Sequence, residues 1–128
     1  MKINTPISAG ELLDKISILK IKSKKINDKN KLENINFELN SLLDIIDEKF
    51  PESDTIDSMI NDLFQVNSLL WEIEDDIREK ERRNQFDKEF IELARSVYFT
   101  NDKRFSIKNK INNKLGSDFK EEKSYKKY

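Results

Sequence analysis

Three pairs of acidic residues, each spaced three positions apart, are the first candidates for chemistry in this sequence. They are Glu11 with Asp14, Glu72 with Asp75, and Glu89 with Glu92. Residues three apart share one face of a helix, so each pair can hold a divalent ion between its carboxylates. One hypothesis from these pairs is a Mg²⁺ or Mn²⁺ site whose ligands are Glu11, Asp14, Glu72 and Asp75.

All-helical nucleotide pyrophosphohydrolases use pairs of this kind, with an ExxE on one helix and an ExxD on the next. Here the only pair at a suitable distance before Glu72 and Asp75 is Asp44 with Asp47, where glutamates are expected. In a chain with 25 acidic residues such pairs also arise by chance on solvated faces. A Mg²⁺-dependent enzyme acting on a phosphorylated or nucleotide substrate is therefore the alternative hypothesis for function. Otherwise no cofactor is expected.

Basic residues suggest a second enzymatic precedent, the helical chorismate mutases, in which arginines and lysines from several helices bind a dicarboxylate. Arg78, Arg95, Arg104 and Lys108 are the candidates, and the last two lie on the apolar side of the final predicted helix. The arginine-bearing N-terminal helix that is typical of those enzymes is missing. Nothing else in the sequence converges on either enzyme class.

The composition excludes several kinds of site. The chain has no histidine, which removes histidine-based nucleophilic catalysis, histidine acid or base chemistry and the usual zinc sites. It also has no cysteine, which fits a reducing compartment. Lysine and arginine number 24 against 25 acidic residues, and this balance argues against nucleic-acid binding.

The sequence contains no recognisable targeting signal, and this favours a cytoplasmic protein. No apolar run approaches the roughly 20 residues that cross a bilayer. Residues 1–7 do not combine a basic start with an apolar core, so no secretory signal is predicted. We therefore expect a cytoplasmic location and no membrane span.

The elements that position these residues are predicted to be helices, because two glycines and two prolines are too few for the turns of a sheet protein. Apolar periodicity predicts a single-domain, all-α bundle of four to five helices, with a core over about 8–116 and a charged tail at 117–128. The predicted helices span 9–27, 31–49, 55–83, 86–99 and 103–115.

Capping residues mark the predicted boundaries. Ser8 and Glu11 form a capping box, in which Ser8 accepts from the Glu11 amide and Glu11 reaches back to the Ser8 amide. A short connector at 27–30 predicts an antiparallel hairpin of the first two helices. Pro51 ends the second helix, and Ser53 or Asp54 caps the third.

The second half of the chain leaves two boundaries to be decided by the structure. The apolar phase slips after residue 81, which predicts a turn or kink near Asn84, with one continuous helix as the alternative. Asn101 or Asp102 can cap a last helix, and Gly116 is the expected left-handed residue at its end.

The third predicted helix carries polar residues within an apolar stripe. Ile56, Leu63, Leu70 and Ile77 recur every seven residues, which makes this long helix the expected centre of the bundle. Asn67 and Glu74 fall inside the same buried face, and Lys15 of the first helix lies within its own apolar arc. We expect Lys15 or Arg78 to pair with Glu74, because a lone buried carboxylate is costly. Asn67 is expected to fix the register of the helices.

Four apolar residues lie off the main stripes and predict self-association as a homo-oligomer, with a dimer as the expected state, or binding to a protein partner. They are Phe37, Ile45, Ile91 and Phe105.

Three segments resemble a known family. SAGELLDKI at 8–16, LWEIEDDIR at 70–78 and LARSVY at 93–98 with Asn101 and Asp102 are similar to motifs of short, functionally uncharacterised helical proteins of bacteria and some viruses. The resemblance also includes residues 121–125 and covers nearly the whole chain. Relatives accompany glycosyltransferases and other surface-polysaccharide genes, so the resemblance implies an accessory role in those systems. It supplies no activity and no catalytic residue.

Taken together, the sequence favours a non-catalytic interaction or accessory module. The residues expected to form a buried polar layer or a ligand site are Lys15, Asn67, Glu74, Arg78, Arg95 and Arg104.

Overall fold

The computed structural model describes all 128 residues and contains four helices and no strand. The helices are α1 (Ala9–Lys25), α2 (Lys29–Lys49), α3 (Asp54–Arg82) and α4 (Lys88–Lys114). The predicted all-α class is confirmed.

Each helix begins directly after a residue whose side chain caps it. Ser8, Asp28, Ser53 and Asp87 each accept a hydrogen bond from the backbone amide three positions on. Such a bond satisfies one of the amides that have no partner within the helix. Asp28 therefore starts α2 two residues before the predicted position, and Asp87 starts α4 two residues after it. The second half of the predicted capping box is absent, because the Glu11 side chain contacts Lys108 instead of the Ser8 amide.

The turn predicted near Asn84 is present, but the predicted division between a fourth and a fifth helix is not. Asn84 has a φ of 53°, in the left-handed region that asparagine tolerates better than most residues. From Lys88 to Lys114 the helix is continuous. Its buried face carries polar residues, among them Thr100 and Lys108, which interrupted the apolar pattern without interrupting the helix. Gly116, with a φ of +64°, follows its end as predicted.

α1 is the helix on which the other three assemble. It packs against α2, α3 and α4, whereas α2 packs against α1 alone. The buried core includes Leu13 and Ile16 of α1, Leu63 of α3 and Ile111 of α4. The longest helix, α3, is therefore not the centre of the bundle that its heptad pattern suggested.

α1 covers only part of α3, because it has 17 residues against 29. Asp14 and Ser17 of α1 both contact Asn67, near the middle of α3. Beyond that contact Ile73 is the last buried residue of α3, and Leu70 and Ile77 of its apolar stripe are only half-buried.

Candidate functional site

Four contacts connect the start of α1 with the end of α4 and the residues after it. They join Ala9 N to Ser117 Oγ (3.2 Å), Gly10 N to Asn112 Oδ1 (2.6 Å), Lys108 Nζ to Glu11 Oε2 (2.8 Å), and Arg104 Nε to Asp14 Oδ1 (3.0 Å). As α1 advances its partners move back along the chain, so α1 and α4 are antiparallel. We call these eight residues the polar ladder.

Gly10 allows the two helices to come this close. A Cβ atom at this position would lie 2.8 Å from the backbone oxygen of Lys108 and 2.9 Å from Asn112 Oδ1. Neither distance is compatible with a side chain unless α4 moves. The small residues Ala9 and Gly10 between the cap Ser8 and the ion-pairing Glu11 are therefore explained by the packing of α4 on the first turn of α1.

Asp14 is the buried centre of the ladder, with 1% of its surface exposed. The guanidinium of Arg104 donates to both of its carboxylate oxygens, and Asn67 Nδ2 donates to Oδ1 at 2.8 Å. Asn67 also donates to Ser17 Oγ, and the Ser17 hydroxyl donates to the backbone oxygen of Asp14. A buried carboxylate is stabilised when it is paired and hydrogen-bonded in this way. Asp14 therefore fixes α1, α3 and α4 relative to one another.

The hydrogen bond with Asp14 is the main reason why the pKa of Arg104 is raised above its ordinary value, against the opposing effect of burial. The guanidinium is charged at every accessible pH, so the ion pair with Asp14 does not depend on the protonation of Arg104. Its side chain remains 29% exposed, so one edge of the ladder reaches the surface.

Lys108 is the second buried charge, with only 6% of its side chain exposed. Its ammonium nitrogen lies 2.8 Å from Glu11, 2.9 Å from Glu121 and 4.0 Å from Asp14. Burial is the largest single influence and lowers the pKa of Lys108, but the hydrogen bonds to Glu11 and Glu121 and the charge of Asp14 together raise it above its ordinary value. Lys108 is therefore held in its charged form and is not a candidate general base.

The C-terminal segment, residues 117–128, lies back along α4. Glu121 contacts Lys108, and the ammonium of Lys123 lies 5.0 Å from the ring centre of Phe105. The hydroxyl of Tyr128 donates to the carboxylate of Asp102. The charged tail predicted from the sequence is thus in contact with the helical body, and it supplies one of the carboxylates around Lys108.

Of the predicted site residues, the structure brings Asn67 and Arg104 together at Asp14. The expected pair of Lys15 with Glu74 does not form. Lys15 faces Glu38 at 3.7 Å and Glu74 accepts from Arg78 Nε at 3.1 Å, with both members of each pair well exposed. Lys15 is therefore directed towards α2, and Glu74 is paired within α3 with Arg78, the alternative partner that the sequence offered.

The four cations considered for dicarboxylate binding do not form one site. Arg104 and Lys108 are neighbours, but each is engaged by carboxylates of the chain itself. The side chain of Arg78 is 75% exposed on α3, and Arg95 lies over the ring of Phe99 at 5.7 Å.

The predicted metal residues are divided between two environments. Glu11 and Asp14 are paired with Lys108 and Arg104, whereas Glu72 and Asp75 are exposed on α3. No group of three or more acidic side chains is arranged to hold a metal ion.

Sequence reasoning did not identify Asp14 and Glu11 as members of a buried ion-pair cluster. The signal was present, because acids at 11 and 14 and cations at 104 and 108 both follow a helical spacing. Two such stripes can pair across an antiparallel contact. Asn112 and Glu121 also belong to the cluster, and nothing in their spacing identifies them before the fold is known.

A separate groove of about 550 Å³ lies at the turn between α3 and α4. Its lining is charged, and Lys80 in its wall contacts Asp87 at 3.0 Å and Glu89 at 2.9 Å. The ammonium of Lys80 donates hydrogen bonds to both carboxylates, and these bonds raise its pKa. The bond to Glu89 has the larger effect and the bond to Asp87 the next. This groove is therefore also lined by side chains that pair with one another.

No helix of the structure has the length and apolar character needed to cross a bilayer. The chain matches no protein-family model, no curated protein and no solved structure.

Proposed function

We propose that this chain is a non-catalytic interaction module that associates with a second copy of itself through the outer face of α2. The observation that carries the proposal is an exposed apolar strip on that helix. Phe37 is 68% exposed and Ile45 is 40% exposed, and they lie about two turns apart on the same face. α2 packs on no helix other than α1, and Phe37 on this face is contacted only by Lys2 of the N-terminal segment, 5.9 Å from its ring centre.

The pairing of charges in the polar ladder supports a role without catalysis. Asp14 accepts from Arg104 and Asn67, and Lys108 donates to Glu11. A general acid, base or nucleophile must be within reach of a substrate and poised to exchange a proton. In the ladder these groups are committed to one another, and they stabilise the packing of α1 against α4.

The charges along α2 favour an antiparallel pair of copies. At its beginning the exposed lysines Lys29 and Lys31 outnumber Asp28, and near its end the exposed acids Asp44, Asp47 and Glu48 outnumber Lys49. If two copies cross at Ser41, midway between Phe37 and Ile45, the phenylalanine of each meets the isoleucine of the other. The same two-fold arrangement brings the more basic start of one helix towards the acidic end of its partner.

For the biological setting we rely on the family resemblance of the sequence motifs alone. We propose that the module accompanies glycosyltransferases or other enzymes of surface-polysaccharide assembly as an accessory protein.

Sedimentation velocity at micromolar concentration tests the interaction surface. We expect a species of twice the 15.2 kDa chain mass for the wild type, and a monomer for Phe37→Asp and Ile45→Asp. Leu69→Asp is the matched control, because Leu69 is 45% exposed on α3 and its substitution introduces the same charge away from α2. A monomeric wild type, or a Phe37→Asp variant that remains dimeric, would refute the proposal.

A further inference from the structure

Lys108 is a buried cation with two kinds of carboxylate partner, those on a helix and one on the C-terminal segment. Glu11 and Asp14 belong to α1, inside the helical body. Glu121 belongs to the C-terminal segment, which has no secondary structure after Gly116. Removing Glu121 from its position would open one side of a buried ammonium group while leaving its support on α1 in place.

The C-terminal segment follows α4 as an extended chain. Ser117 contacts Asn112, Glu121 contacts Lys108, Lys123 contacts Phe105, and Tyr128 contacts Asp102. The partners on α4 descend regularly in number as the segment advances. α4 thus presents, along its edge beside α1, a track for an extended peptide, with an ammonium group for a carboxylate and aromatic rings beyond it.

The hold of this segment on the track is weak over most of its length. Phe119 is 51% exposed, Tyr125 is 81% exposed and Tyr128 is 74% exposed. Little apolar surface is therefore lost when the segment lifts away. Glu121, with 35% of its side chain exposed, is the residue of the segment whose carboxylate reaches Lys108.

One buried polar group beside Lys108 is left without a partner. Glu121 Oε2 itself lies 2.9 Å from the Lys108 nitrogen and pairs with it. Asn112, which is 1% exposed and lies one turn from Lys108, has a buried Nδ2 group without a partner. Buried donors and acceptors without partners are rare and costly, and they indicate room for a better ligand.

We propose that the track on α4 binds an extended, glutamate-bearing segment of a partner protein, whose carboxylate replaces that of Glu121 at Lys108. The chain's own C-terminal segment then acts as an internal competitor that covers the site when the partner is absent. This surface is separate from the outer face of α2, so either proposal can fail without the other.

A labelled synthetic peptide with the sequence of residues 117–128 serves as the probe, added to the full-length chain and followed by fluorescence anisotropy. The internal competitor is weakened by the double substitution Glu121→Gln with Tyr128→Ala. We expect this variant to bind the peptide about tenfold more tightly than the wild type, because a hydrogen bond to a charged group is worth about one such factor.

Three controls define the site. Lys108→Met in the same background should abolish binding, and Lys108→Arg should restore part of it. Circular dichroism of both variants verifies that they are folded. A peptide with glutamine in place of its glutamate at position 121 should bind about tenfold less tightly.

Equal binding of the glutamate and glutamine peptides would overturn the proposal, as would equal binding by the wild type and the double variant. Displacement of the peptide by acetate at millimolar concentration would also overturn it, because the site would then select a small carboxylate and not a peptide.

Discussion

Arg104 contacts both carboxylate oxygens of Asp14, although the two residues are 90 positions apart in the chain. The guanidinium comes from the middle of α4 and the carboxylate from the first half of α1. This side-on contact fixes both the distance and the register of the two helices, because a planar guanidinium and a carboxylate match in only a few orientations. It is one of the four contacts of the polar ladder, and it is the one that reaches the buried carboxylate of Asp14.

Replacing Arg104 by methionine should destabilise the protein strongly. The substitution leaves the Asp14 carboxylate buried with only Asn67 as a side-chain donor. Breaking a buried ion pair costs about 3 to 5 kcal/mol, and we expect about 3 kcal/mol because Arg104 is partly exposed. Urea unfolding followed by circular dichroism measures the change.

The ion pair of Arg78 with Glu74 provides the matched control. Arg78→Met removes the same group from an exposed pair and should change the free energy of unfolding by less than about 0.5 kcal/mol. Replacing Asp14 by leucine in the Arg104→Met background should recover most of the lost stability. Equal effects of Arg78→Met and Arg104→Met would contradict the assignment of Asp14 as the buried centre.

Gly10→Ala should also destabilise the protein, even though alanine is the better helix former by about 1 kcal/mol. The added methyl group meets the backbone oxygen of Lys108 at 2.8 Å, so α4 must shift. Forcing a group into a packed contact costs about 1 to 3 kcal/mol and outweighs the gain in helix propensity.

Gly116→Ala is the comparison for this variant, because no atom lies within 4 Å of the added methyl group. Any loss of stability there comes from the backbone φ of +64°, which alanine adopts poorly. That cost is about 1 to 2 kcal/mol. Deleting the Asn112 side chain should not rescue Gly10→Ala, since the closest atom is backbone. A Gly10→Ala variant more stable than the wild type would show that α1 and α4 are farther apart.

The features that the sequence predicted well are those set by local chemistry. Ser8 and Ser53 cap helices, Pro51 follows the end of α2, and Gly116 adopts the left-handed conformation, because each depends only on neighbouring residues. The break predicted at residues 100–102 failed for a physical reason. α4 buries polar residues against α1, and a search for periodic apolar residues does not detect a buried face made of polar ones.

The buried polar positions were only partly predictable, because burial depends on which helix covers which. Asn67 was identified from its place in the heptad, and it is buried at the Asp14 contact. Glu74 occupies an equivalent place one heptad later, but its side chain is 47% exposed and pairs with Arg78 of the same helix. Lys15 is exposed because Asp14, the residue before it, contacts α3 and α4, whereas Lys15 faces Glu38 of α2.

Lys108 gives the protein a distinctive dependence on alkaline pH. Its pKa in the folded state is raised above the ordinary lysine value of 10.5, whereas the unfolded chain titrates near that value. Between the two values the unfolded state binds fewer protons than the folded state, so the free energy of unfolding falls as pH rises. Below about pH 10.5 the contribution of Lys108 is complete and constant, and it is lost as pH rises through the folded-state pKa.

Lys108→Met isolates this contribution, because it keeps an unbranched apolar side chain and removes the charge. Near neutral pH we expect a loss of about 2 kcal/mol, the magnitude of a hydrogen bond to a charged group. All other residues are the same in both proteins, so their effects cancel in the difference between the two stability curves. We expect that difference to be constant from pH 7 to about pH 10 and to shrink above it. Parallel curves through pH 11.5 would show that the ammonium of Lys108 does not stabilise the contact between α1 and α4.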